Sequence, residues 1–496
     1  MSESLPEFPS DSDLQTCLRV LQHVIQQPVL ARQAPGHAVF QHSIRLVRKV
    51  RKTKVLKPGL HEARIERARH LQTYAQDVEP LPSLPPVLPR FLEPGCFTAN
   101  TFHEKCYVCK EPPFPVHEFY DQMCSACGDF NWSKRTATAD FHGWVIVVTG
   151  ARIKIGYEIA LKLLRAGSQV VATTRFTKDA FLRFSHEPDF AAFRPRLHIE
   201  YLELGSLASL QALVQRLRAR FPRIHALINN AAQTVRRSPE FYSREERIEC
   251  LPSAQLGCGD VITAPDIQQP RALPCSVPLC SDRIADGEKG TLPSSSSKGV
   301  LPSLPSSSSL PPALLPPSSV SPELRDEYGQ PVVTTEVNSW VLRFPDISVR
   351  ECLEVHLVNA IAPFLLVQHL LPLLERKAKD ATYGHVINVT SMEGSFSKPF
   401  KSGSHVHTNM AKASMNMITR TLGPSLEKHH RVLMNSVDTG WIDEMAPRTA
   451  QYSSIPAVPL DVVDGAARVI DPLLAHVVHG QVVSGAFFKN YVITDW

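Results

Sequence analysis

From residue 144 onward the sequence alternates between short β-branched runs and longer segments whose apolar residues recur at helical spacing. The first β-branched run covers residues 145–149 and ends at Gly150, and the first helical pattern covers 155–165. Further strands are predicted at 169–173, 198–202, 226–229, 385–390 and 432–437, and further helices at 207–220, 349–377 and 409–427. Strands that alternate with helices form parallel sheets covered on both faces. The pattern therefore predicts an α/β fold built on a doubly wound parallel sheet.

Proline marks the parts of the chain that do not follow this pattern. Of the 41 prolines in 496 residues, thirteen fall within 251–322 and nine within 80–115. Serine runs accompany the first group, and such a segment buries too little apolar surface to offset its chain entropy. We therefore predict a helical, basic region over 1–76 and a proline-rich linker with a metal module over 77–140. The α/β domain is predicted over 141–235 and 332–496, interrupted by a low-complexity disordered insertion over 236–331.

The composition narrows the function classes. Hydrophobic residues make up 43% of the chain and the net charge is +5, values that do not indicate a nucleic-acid binder. No window reaches roughly 20 apolar residues, and the acidic start lacks the pattern of a secretory signal. We therefore predict no membrane span and a cytoplasmic location. The basic run from Arg45 to Lys57 leaves three interpretations open, which are a solvated helix face, a nuclear import signal, and a contact for RNA or anionic lipid. It lacks interleaved aromatic residues, so nucleic acid is not the predicted partner.

Two C-x-x-C pairs separated by fourteen residues predict a metal site. Each pair places two thiolates on one side of a tight turn, and together the pairs complete a tetrahedral set for zinc. The predicted ligands are Cys106, Cys109, Cys124 and Cys127. Because four protein ligands close the coordination sphere, we expect a structural zinc without catalytic function. The alternative is a set of redox or coincidental cysteines, and the irregularly spaced cysteines at 250, 258, 275 and 280 are interpreted as incidental.

A glycine turn lies between the first predicted strand and the first predicted helix. Its sequence is Thr149-Gly150-Ala151-Arg152-Ile153-Lys154-Ile155-Gly156, and glycine there allows a pyrophosphate to approach the helix N-terminus. The turn resembles the T-G-x-x-x-G-x-G motif of the short-chain dehydrogenase/reductase family. Further matches follow in the family's order, namely Asn229-Asn230-Ala231-Ala232, Asn359, Ser391-Met392-Glu393-Gly394 and Lys412. The resemblance implies a Rossmann-like fold, a nicotinamide cofactor, a small-molecule substrate and a homo-oligomer.

The resemblance also implies a cofactor site at the ends of the strands. Its residues would be Gly150, Arg152, Lys154, Ile155, Gly156, Arg175, Glu203, Asn230, Ala231 and Lys412. Lys154 replaces the family's middle glycine, and Glu203 stands where the family has an aspartate near the adenine. Arg175 follows the second strand, where an arginine suits a ribose 2′-phosphate and an acidic residue would suit a 2′-hydroxyl. With Arg152 as a second cation, we predict NADP(H) rather than NAD(H). The alternative is that these arginines are solvated surface charges.

Three of the family's four catalytic positions are present. By resemblance, Ser391 would hydrogen-bond the substrate oxygen, Lys412 would hold the nicotinamide ribose, and Asn359 would anchor a water that links the lysine to solvent. The family's tyrosine, four residues before the lysine, is Thr408 in this chain. An aliphatic hydroxyl is a far weaker acid than a phenol, so Thr408 does not simply take over proton transfer.

Three hypotheses follow from the missing tyrosine. In the first, His405 or His407 supplies the proton, because imidazole titrates near neutral pH. In the second, the hydride goes to an activated alkene or an iminium-like carbon without a dedicated acid. In the third, the site binds cofactor without turnover. The predicted function is an NADP(H)-dependent oxidoreductase of a small organic substrate, and the alternative is a cofactor-binding pseudoenzyme that acts as a scaffold or sensor.

Overall fold

The computed structural model describes residues 102–103, 105–111, 114–237, 239–259, 261–263, 320–326, 328–333, 338–378, 380, 382–398, 400–443 and 458–496. Two predictions lie outside these residues, namely the helical region over 1–76 and its basic run from Arg45 to Lys57. The stretch 264–319 of the predicted insertion also lies outside them.

The described residues form strands and helices that alternate through most of the chain. The strands are β1 (Phe102–His103), β2 (Phe114–Pro115), β3 (Val145–Thr149), β4 (Gln169–Thr174), β5 (Leu197–Tyr201), β6 (Ala226–Asn229), β7 (Ile262–Thr263), β8 (Val320–Arg325), β9 (Pro331–Val333), β10 (Gly384–Thr390), β11 (Val432–Asp438), β12 (Phe487–Lys489) and β13 (Val492–Thr494). The helices are α1 (Ser125–Thr136), α2 (Lys154–Arg165), α3 (Thr177–Ser185), α4 (Phe190–Phe193), α5 (Leu207–Arg220), α6 (Ser243–Glu249), α7 (Ser253–Leu256), α8 (Val349–His356), α9 (Ala362–Leu374), α10 (Val406–His430) and α11 (Val462–His479). A π-turn over Leu357–Ile361 joins α8 to α9.

Nine of these strands form one sheet with the order β13-β12-β11-β10-β6-β3-β4-β5-β7. Neighbouring strands are parallel, apart from the antiparallel pair β12 and β13. All five residues of β3 and all seven of β10 are buried, as expected for strands covered on both faces. The predicted α/β fold with a doubly wound, Rossmann-like parallel sheet is confirmed. After β5 the chain returns past β3 to form β6, which creates the switch point where such sheets bind ligands.

Helices cover both faces of the sheet. One apolar core lies between the sheet and a layer that includes α2 and α11, with Leu163 and Val469 fully buried. The other lies between the sheet and a layer that includes α5 and α9, with Leu213 and Leu370 fully buried. A third apolar cluster joins residues 106–132 to the start of α11. The cysteine-containing segment therefore packs directly on the α/β domain.

Residues 239–263 correct the predicted start of the insertion. They form a 3-10 turn over Pro239–Tyr242, the helices α6 and α7, and the strand β7, which pairs with β5. Ile248, Cys258 and Val261 are buried, so this part has a packed core and the prediction of disorder was wrong here. Cys258 belongs to that core rather than being incidental. The composition misled because most of the prolines and the serine runs lie further along the segment.

One helical stretch among the described residues, Val349–Leu374, is long and apolar enough to cross a membrane. Its residues Leu366, Leu370 and Leu374 are buried in the protein core, and a core helix of a soluble fold passes the same test. The absence of a membrane span stays a prediction.

Candidate active site

The glycine turn connects β3 to α2 at the carboxyl edge of the sheet. Gly150 has a φ of +69°, a left-handed conformation that glycine adopts readily. The N–H groups of Gly150 and Ala151 donate to the Thr173 carbonyl on β4. A Cβ at Gly156 would collide with the Gly150 carbonyl oxygen and with the Asn230 carboxamide. The glycines thus hold the turn against the start of α2, whose first-turn N–H groups lack intrahelical acceptors and suit an anion.

Lys154 occupies the place of the family's middle glycine and keeps a glycine-like backbone. Its φ is +56°, in the left-handed region that residues with a side chain seldom adopt. Its ammonium lies 2.6 Å from an Asp443 carboxylate oxygen and 4.9 Å from the centre of the Tyr328 ring. The lysine therefore brings a cation to the turn, and that cation is paired with the segment that follows β11.

Arg152 of the glycine turn is buried in an ion-pair network. Its guanidinium lies 2.7 Å from Asp179 and 3.2 Å from Glu245, and 5.2 Å from the centre of the Phe176 ring. One guanidinium nitrogen of Arg152 contacts both buried carboxylates, so the structure places this side chain in an ion-pair network. The role of Arg152 in cofactor binding stays a prediction. Its partner Glu245 lies in the segment that the sequence analysis assigned to the insertion.

Arg175 lies just beyond the carboxyl end of β4 and keeps 35% of its side-chain surface exposed. Its guanidinium donates to Glu203 over 3.2 Å and lies 4.9 Å from the centre of the Tyr242 ring. Glu203 also accepts the Gly205 N–H at 2.9 Å, which shapes the connection to α5. The structure therefore brings Arg175 and Glu203, both predicted cofactor residues, together at one end of the site.

The turn after β6 is tied to the glycine turn. The Thr149 hydroxyl accepts the N–H groups of Asn230 and Ala231, each at 3.0 Å. The Asn230 carboxamide donates to the Thr149 carbonyl at 3.0 Å, and a Cβ at Gly150 would lie 2.9 Å from the Ala231 Cβ. Asn230 and Ala231 therefore hold the shape of the glycine turn, and the two motifs form one unit.

The turn after β10 carries Ser391. The Ser391 hydroxyl accepts the Glu393 N–H at 3.3 Å and so caps a 3-10 turn over Met392–Gly394. A Cβ at Gly394 would lie 2.5 Å from the Lys412 carbonyl carbon. The turn therefore packs directly on the backbone of α10, and the structure brings the Ser391 and Lys412 motifs together.

Lys412 is buried, and its ammonium donates to the Val389 carbonyl at 2.9 Å. An ammonium has three donors, and this carbonyl is its one hydrogen-bond partner within the described part of the chain. Burial lowers the pKa of Lys412 to about 8, and the carboxylate of Asp438 opposes this effect only in part.

Asp438, the last residue of β11, joins two turns of the site. One of its carboxylate oxygens accepts the Met392 N–H at 2.7 Å, and the other accepts the Gly440 N–H at 2.8 Å. Gly440 has a φ of +83°. A single buried carboxylate thus fixes the turn after β10 relative to the turn after β11.

Asn359 lies in the π-turn between α8 and α9 and is fully buried. Its carboxamide oxygen accepts the Gln233 N–H at 2.7 Å, and its carboxamide nitrogen donates to the Gln233 carbonyl at 2.8 Å. Both polar atoms of the side chain therefore have a backbone partner. These bonds tie the π-turn to the segment that follows β6, and the role of Asn359 as a water anchor stays a prediction.

Thr408 is buried, and its hydroxyl has no hydrogen-bond partner among the residues that the structure describes. His405 directly precedes α10 and has a φ of +44°. His405 stacks on the Trp340 ring with centroids 4.0 Å apart. One of its ring nitrogens lies 3.0 Å from the Trp340 carbonyl, and the other lies 3.6 Å from Glu393. His405 is therefore beside the turn that carries Ser391.

His407 points toward α8 instead. Its Nε2 lies 3.9 Å from a Glu351 carboxylate oxygen, and neither ring nitrogen has a hydrogen-bond partner in the described ranges. Burial lowers the pKa of His407. Of the two histidines considered as proton donors, the structure places only His405 beside the turn of Ser391.

Comparison with known proteins shows which family this chain matches. Residues 144–252 match a family model described as short chain dehydrogenase, and residues 337–458 match one described as Enoyl-(Acyl carrier protein) reductase. The chain is also 30% identical over 380 residues to the uncharacterized protein R665 of Acanthamoeba polyphaga mimivirus. The matched residues make up 74% of this chain and 71% of that protein. The chain belongs to the short-chain dehydrogenase family.

Further relatives of this chain are more distant. It is 28% identical over 141 residues to the short-chain dehydrogenase/reductase ffsI of Aspergillus flavipes. The matched residues make up 27% of this chain and 42% of that protein. Similar solved structures include an NADPH-bound carbonyl reductase from chicken fatty liver, with 16% identity, a TM-score of 0.43, and coverage of 73% of this chain and 98% of that chain. The RhlG–NADP complex of Pseudomonas aeruginosa has 16% identity and a TM-score of 0.42, with coverage of 70% and 95%.

The cysteine cluster precedes the residues that match the family models. The sulfur atoms of Cys106, Cys109, Cys124 and Cys127 all lie within 4.8 Å of one another. Metal–sulfur bonds of about 2.3 Å in a tetrahedral site place sulfurs roughly 3.8 Å apart, and the Cys109 and Cys124 sulfurs are 3.9 Å apart. The structure therefore brings together the four predicted ligands in an arrangement that fits a metal ion.

Two further residues of the site, Asp438 and Tyr107, were not predicted from the sequence. Asp438 lies at the carboxyl end of a predicted strand, and an acidic residue at that edge was the available signal. Tyr107 lies between two cysteines, and its hydroxyl accepts the Trp441 N–H at 2.9 Å. No local pattern indicates this second contact, because its partners are 334 residues apart in the sequence.

Proposed function

We propose that this chain binds NADP(H) and transfers a hydride between the nicotinamide ring and a small organic substrate. The observation that carries the proposal is the buried ammonium of Lys412, which has a single carbonyl partner among the described residues. Burying a charge without partners is costly, and its two remaining donors suit the oxygens of a bound molecule. The hydroxyls of a cofactor ribose supply such oxygens at the carboxyl edge of the sheet, beside the turn of Ser391.

The opposite end of the carboxyl edge supports a phosphorylated dinucleotide. The left-handed Gly150 and the start of α2 form an anion site of the kind that binds a pyrophosphate. Arg175 is the cation that fits a 2′-phosphate, because its pair with Glu203 is partly exposed on both sides. Exposed pairs contribute only about 0–1 kcal/mol, so a doubly charged phosphate can replace Glu203 as the partner of Arg175.

The proton step follows one of two routes in this proposal. When bound, the nicotinamide ring supplies or accepts the hydride. If the substrate is a carbonyl, the hydride adds to carbon and His405, beside the turn of Ser391, delivers a proton to oxygen. If the substrate is an activated alkene, Ser391 and Lys412 stabilise the enolate oxygen and water supplies the proton. The enoyl-reductase description of the family model that matches residues 337–458 supports the second route.

We also propose that the four clustered cysteines bind a structural zinc ion. Their sulfur spacing supports this, and all four ligands come from the protein, which leaves no open position for a substrate. Metal analysis of the purified protein tests the assignment. About one equivalent of zinc is expected, and replacement of Cys106 and Cys109 by serine should abolish it.

A binding and turnover experiment tests the main proposal. NADPH affinity is measured for the wild type, Lys412→Met and the matched control Lys428→Met, which changes an exposed lysine on the same helix. Turnover is then screened with carbonyls and activated alkenes for the wild type, His405→Gln and His429→Gln, the last an exposed histidine of α10. We expect Lys412→Met to weaken NADPH binding at least tenfold and Lys428→Met to leave it unchanged.

The outcomes separate the alternatives. Carbonyl turnover lost in His405→Gln but kept in His429→Gln supports the first route, and alkene turnover that is insensitive to His405 supports the second. Tight NADPH binding without turnover of any substrate class would favour the cofactor-binding scaffold. Absence of NADPH binding, or binding that Lys412→Met leaves unchanged, would refute the proposed function.

A further inference from the structure

The cysteine module, residues 105–136, is anchored to the α/β domain by buried charges. Arg135 of α1 is buried and forms a two-pronged pair with Asp461 at 2.6 and 2.9 Å, and it also lies 2.9 Å from Asp464. The Tyr120 hydroxyl donates to Asp464 at 2.6 Å. Buried pairs of this kind tolerate little displacement, because a shifted partner leaves an uncompensated buried charge. The module therefore has a fixed position at the start of α11.

Apolar contacts also connect the cysteine module to the glycine turn. Phe119 and Met123 of the module lie in one apolar cluster with Ile442 and Leu460. Ile155 of the glycine turn packs against the same cluster. A Cβ at Gly465 of α11 would also meet the side chains of Ile155 and Ile442. The module thus contacts the domain at the edge that carries the proposed cofactor site, away from the opposite edge of the sheet.

A hydrogen bond connects the segment of the first cysteine pair to the turn after β11. The Trp441 N–H donates to the Tyr107 hydroxyl at 2.9 Å, and a Cβ at Gly440 would lie 3.1 Å from the same oxygen. Gly440 in turn donates to Asp438, whose other carboxylate oxygen accepts the Met392 N–H. A continuous chain of contacts therefore leads from Tyr107 to the turn that carries Ser391.

The position of Tyr107 depends on the cysteines around it. It directly follows Cys106 and lies two residues before Cys109, both proposed zinc ligands. The Lys110 N–H donates to the Cys106 carbonyl, and the Cys124 N–H lies 3.5 Å from the Cys106 sulfur. These contacts form a tight turn that a bound metal closes, since each ligand pair shares one ion. Loss of the metal would release the turn and the Tyr107 ring with it.

We infer that Tyr107 is a positioning residue through which the metal-bound cysteine module fixes the turn at Gly440 and Trp441 and thereby strengthens NADP(H) binding. The inference rests on the proposed function for its cofactor and on the cysteine cluster for its metal. The module would then contribute to NADP(H) binding as well as to folding. Cofactor affinity should depend on metal occupancy, and the Tyr107 hydroxyl should carry that dependence.

The test compares the full-length wild type with Tyr107→Phe and Tyr120→Phe, each loaded with zinc and each after treatment with a chelator. Tyr120→Phe is the matched control, because it removes a hydroxyl of the same module that bonds to Asp464 and does not bond to the turn after β11. Three quantities are measured, which are zinc content, the NADPH dissociation constant, and hydrogen exchange of the peptide that contains Trp441. Circular dichroism checks that each sample stays folded.

For zinc-loaded Tyr107→Phe we expect unchanged zinc content, exchange at Trp441 about tenfold faster, and an NADPH dissociation constant about three- to tenfold higher. This range corresponds to the loss of one hydrogen bond. Zinc removal should weaken NADPH binding in the wild type and in Tyr120→Phe, with little further effect in Tyr107→Phe. Unchanged exchange and affinity in Tyr107→Phe would overturn the inference, as would equal effects of chelation in wild type and Tyr107→Phe.

Failure of the proposed function gives a different result. If the zinc-loaded wild type does not bind NADPH, the cofactor assignment falls. The exchange measurement still decides the structural coupling, because it needs no cofactor. Exchange at Trp441 that is equal in wild type and Tyr107→Phe would then overturn the positioning role as well.

Discussion

Gly394 lies so close to Lys412 that a Cβ added to the glycine would be 2.5 Å from the lysine's carbonyl carbon. Both sides of this contact are backbone, so no flexible side chain can move aside. The contact joins the turn after β10 to α10 and sets the position of the Ser391 turn relative to the buried ammonium.

We expect Gly394→Ala to destabilise the folded state by about 1–3 kcal/mol, the usual cost of overpacking, and to weaken NADPH binding. The reason is that the Ser391 turn must move away from α10 to admit the methyl group. The matched control is Gly403→Ala, because a Cβ there meets no atom within 4 Å. Thermal unfolding and NADPH titration of both variants give the comparison, and equal behaviour would contradict the packing argument.

Arg175→Ala should change cofactor preference. Loss of a charge-assisted contact with the 2′-phosphate should raise the NADPH dissociation constant about tenfold and leave that of NADH almost unchanged. Arg218→Ala serves as the control, since this exposed arginine donates to the His369 carbonyl, away from the site. Comparable affinities for NADPH and NADH in the wild type, with no change in Arg175→Ala, would disprove the 2′-phosphate assignment.

Arg152→Met should have the opposite phenotype. Removing the buried guanidinium takes away the ion-pair partner of Glu245, whereas Asp179 keeps Arg183 and Arg244. Breaking a buried pair costs about 3–5 kcal/mol of folding free energy. The ratio of NADPH to NADH affinity should stay the same. Urea unfolding and the two cofactor titrations test this, and a shift in cofactor preference would indicate that Arg152 contacts the cofactor.

The pKa of Lys412 predicts how cofactor binding varies with pH. Burial lowers this pKa to about 8, so the ammonium is charged below that pH and loses its charge above it. The NADPH dissociation constant should be constant below pH 8 and rise above it, by at most about tenfold per pH unit. Lys412→Arg keeps the charge at high pH and should remove this rise, even if its affinity is lower. An identical rise in both proteins would show that another group is responsible.

The same shift has a consequence for stability, with a definite sign. The unfolded lysine keeps its proton up to its ordinary pKa of 10.5, whereas the folded one releases it near pH 8. Between these values the unfolded state binds more protons, so the contribution of Lys412 to the free energy of unfolding rises with pH.

His225 should contribute to destabilisation in acid. Its Nδ1 accepts the Val145 N–H at 2.9 Å, which requires a neutral ring. Burial, together with Arg376 and Arg223, lowers the pKa of His225 to about 4, so the unfolded chain takes up a proton between pH 6.5 and 4 that the folded chain does not.

We therefore expect His225→Asn, which keeps an acceptor and does not titrate, to reduce the loss of stability between pH 6.5 and 4.5 by about 1 kcal/mol after allowance for partial exposure. Urea unfolding at the two pH values measures it. His142→Asn is the control because that side chain is 75% exposed. An equal loss of stability in wild type and His225→Asn would contradict the assignment.

Local periodicity predicted the framework well because strands and helices depend on residues close in sequence. The predicted strand at 169–173 is β4, and the predicted helix at 409–427 is the central part of α10. The predicted helix at 349–377 ends at Leu374 and contains a π-turn at Asn359. The apolar pattern gave no sign of that turn, because the π-turn changes the hydrogen bonding of the backbone while the segment stays helical.

Charge pairing depended on residues far apart in the sequence and could not be predicted in the same way. The sequence indicated Arg175 as the ligand of a 2′-phosphate and Arg152 as a second cation, but it did not show the carboxylates that pair with each of them. Arg152 is buried between carboxylates, and Arg175 has a partner that is partly exposed. Which cation is available is therefore a property of the packed structure.

The sequence by itself determined the doubly wound sheet, the order of the motifs along its carboxyl edge and the cysteine cluster, since each depends on spacing within short segments. Only the tertiary structure decided that Arg152 pairs with buried carboxylates. It also decided that His405 rather than His407 lies beside the turn of Ser391, and that Tyr107 contacts Trp441. These outcomes depend on burial and on contacts between distant segments, which set the free energy of a charge or a hydrogen bond and leave no trace in local spacing.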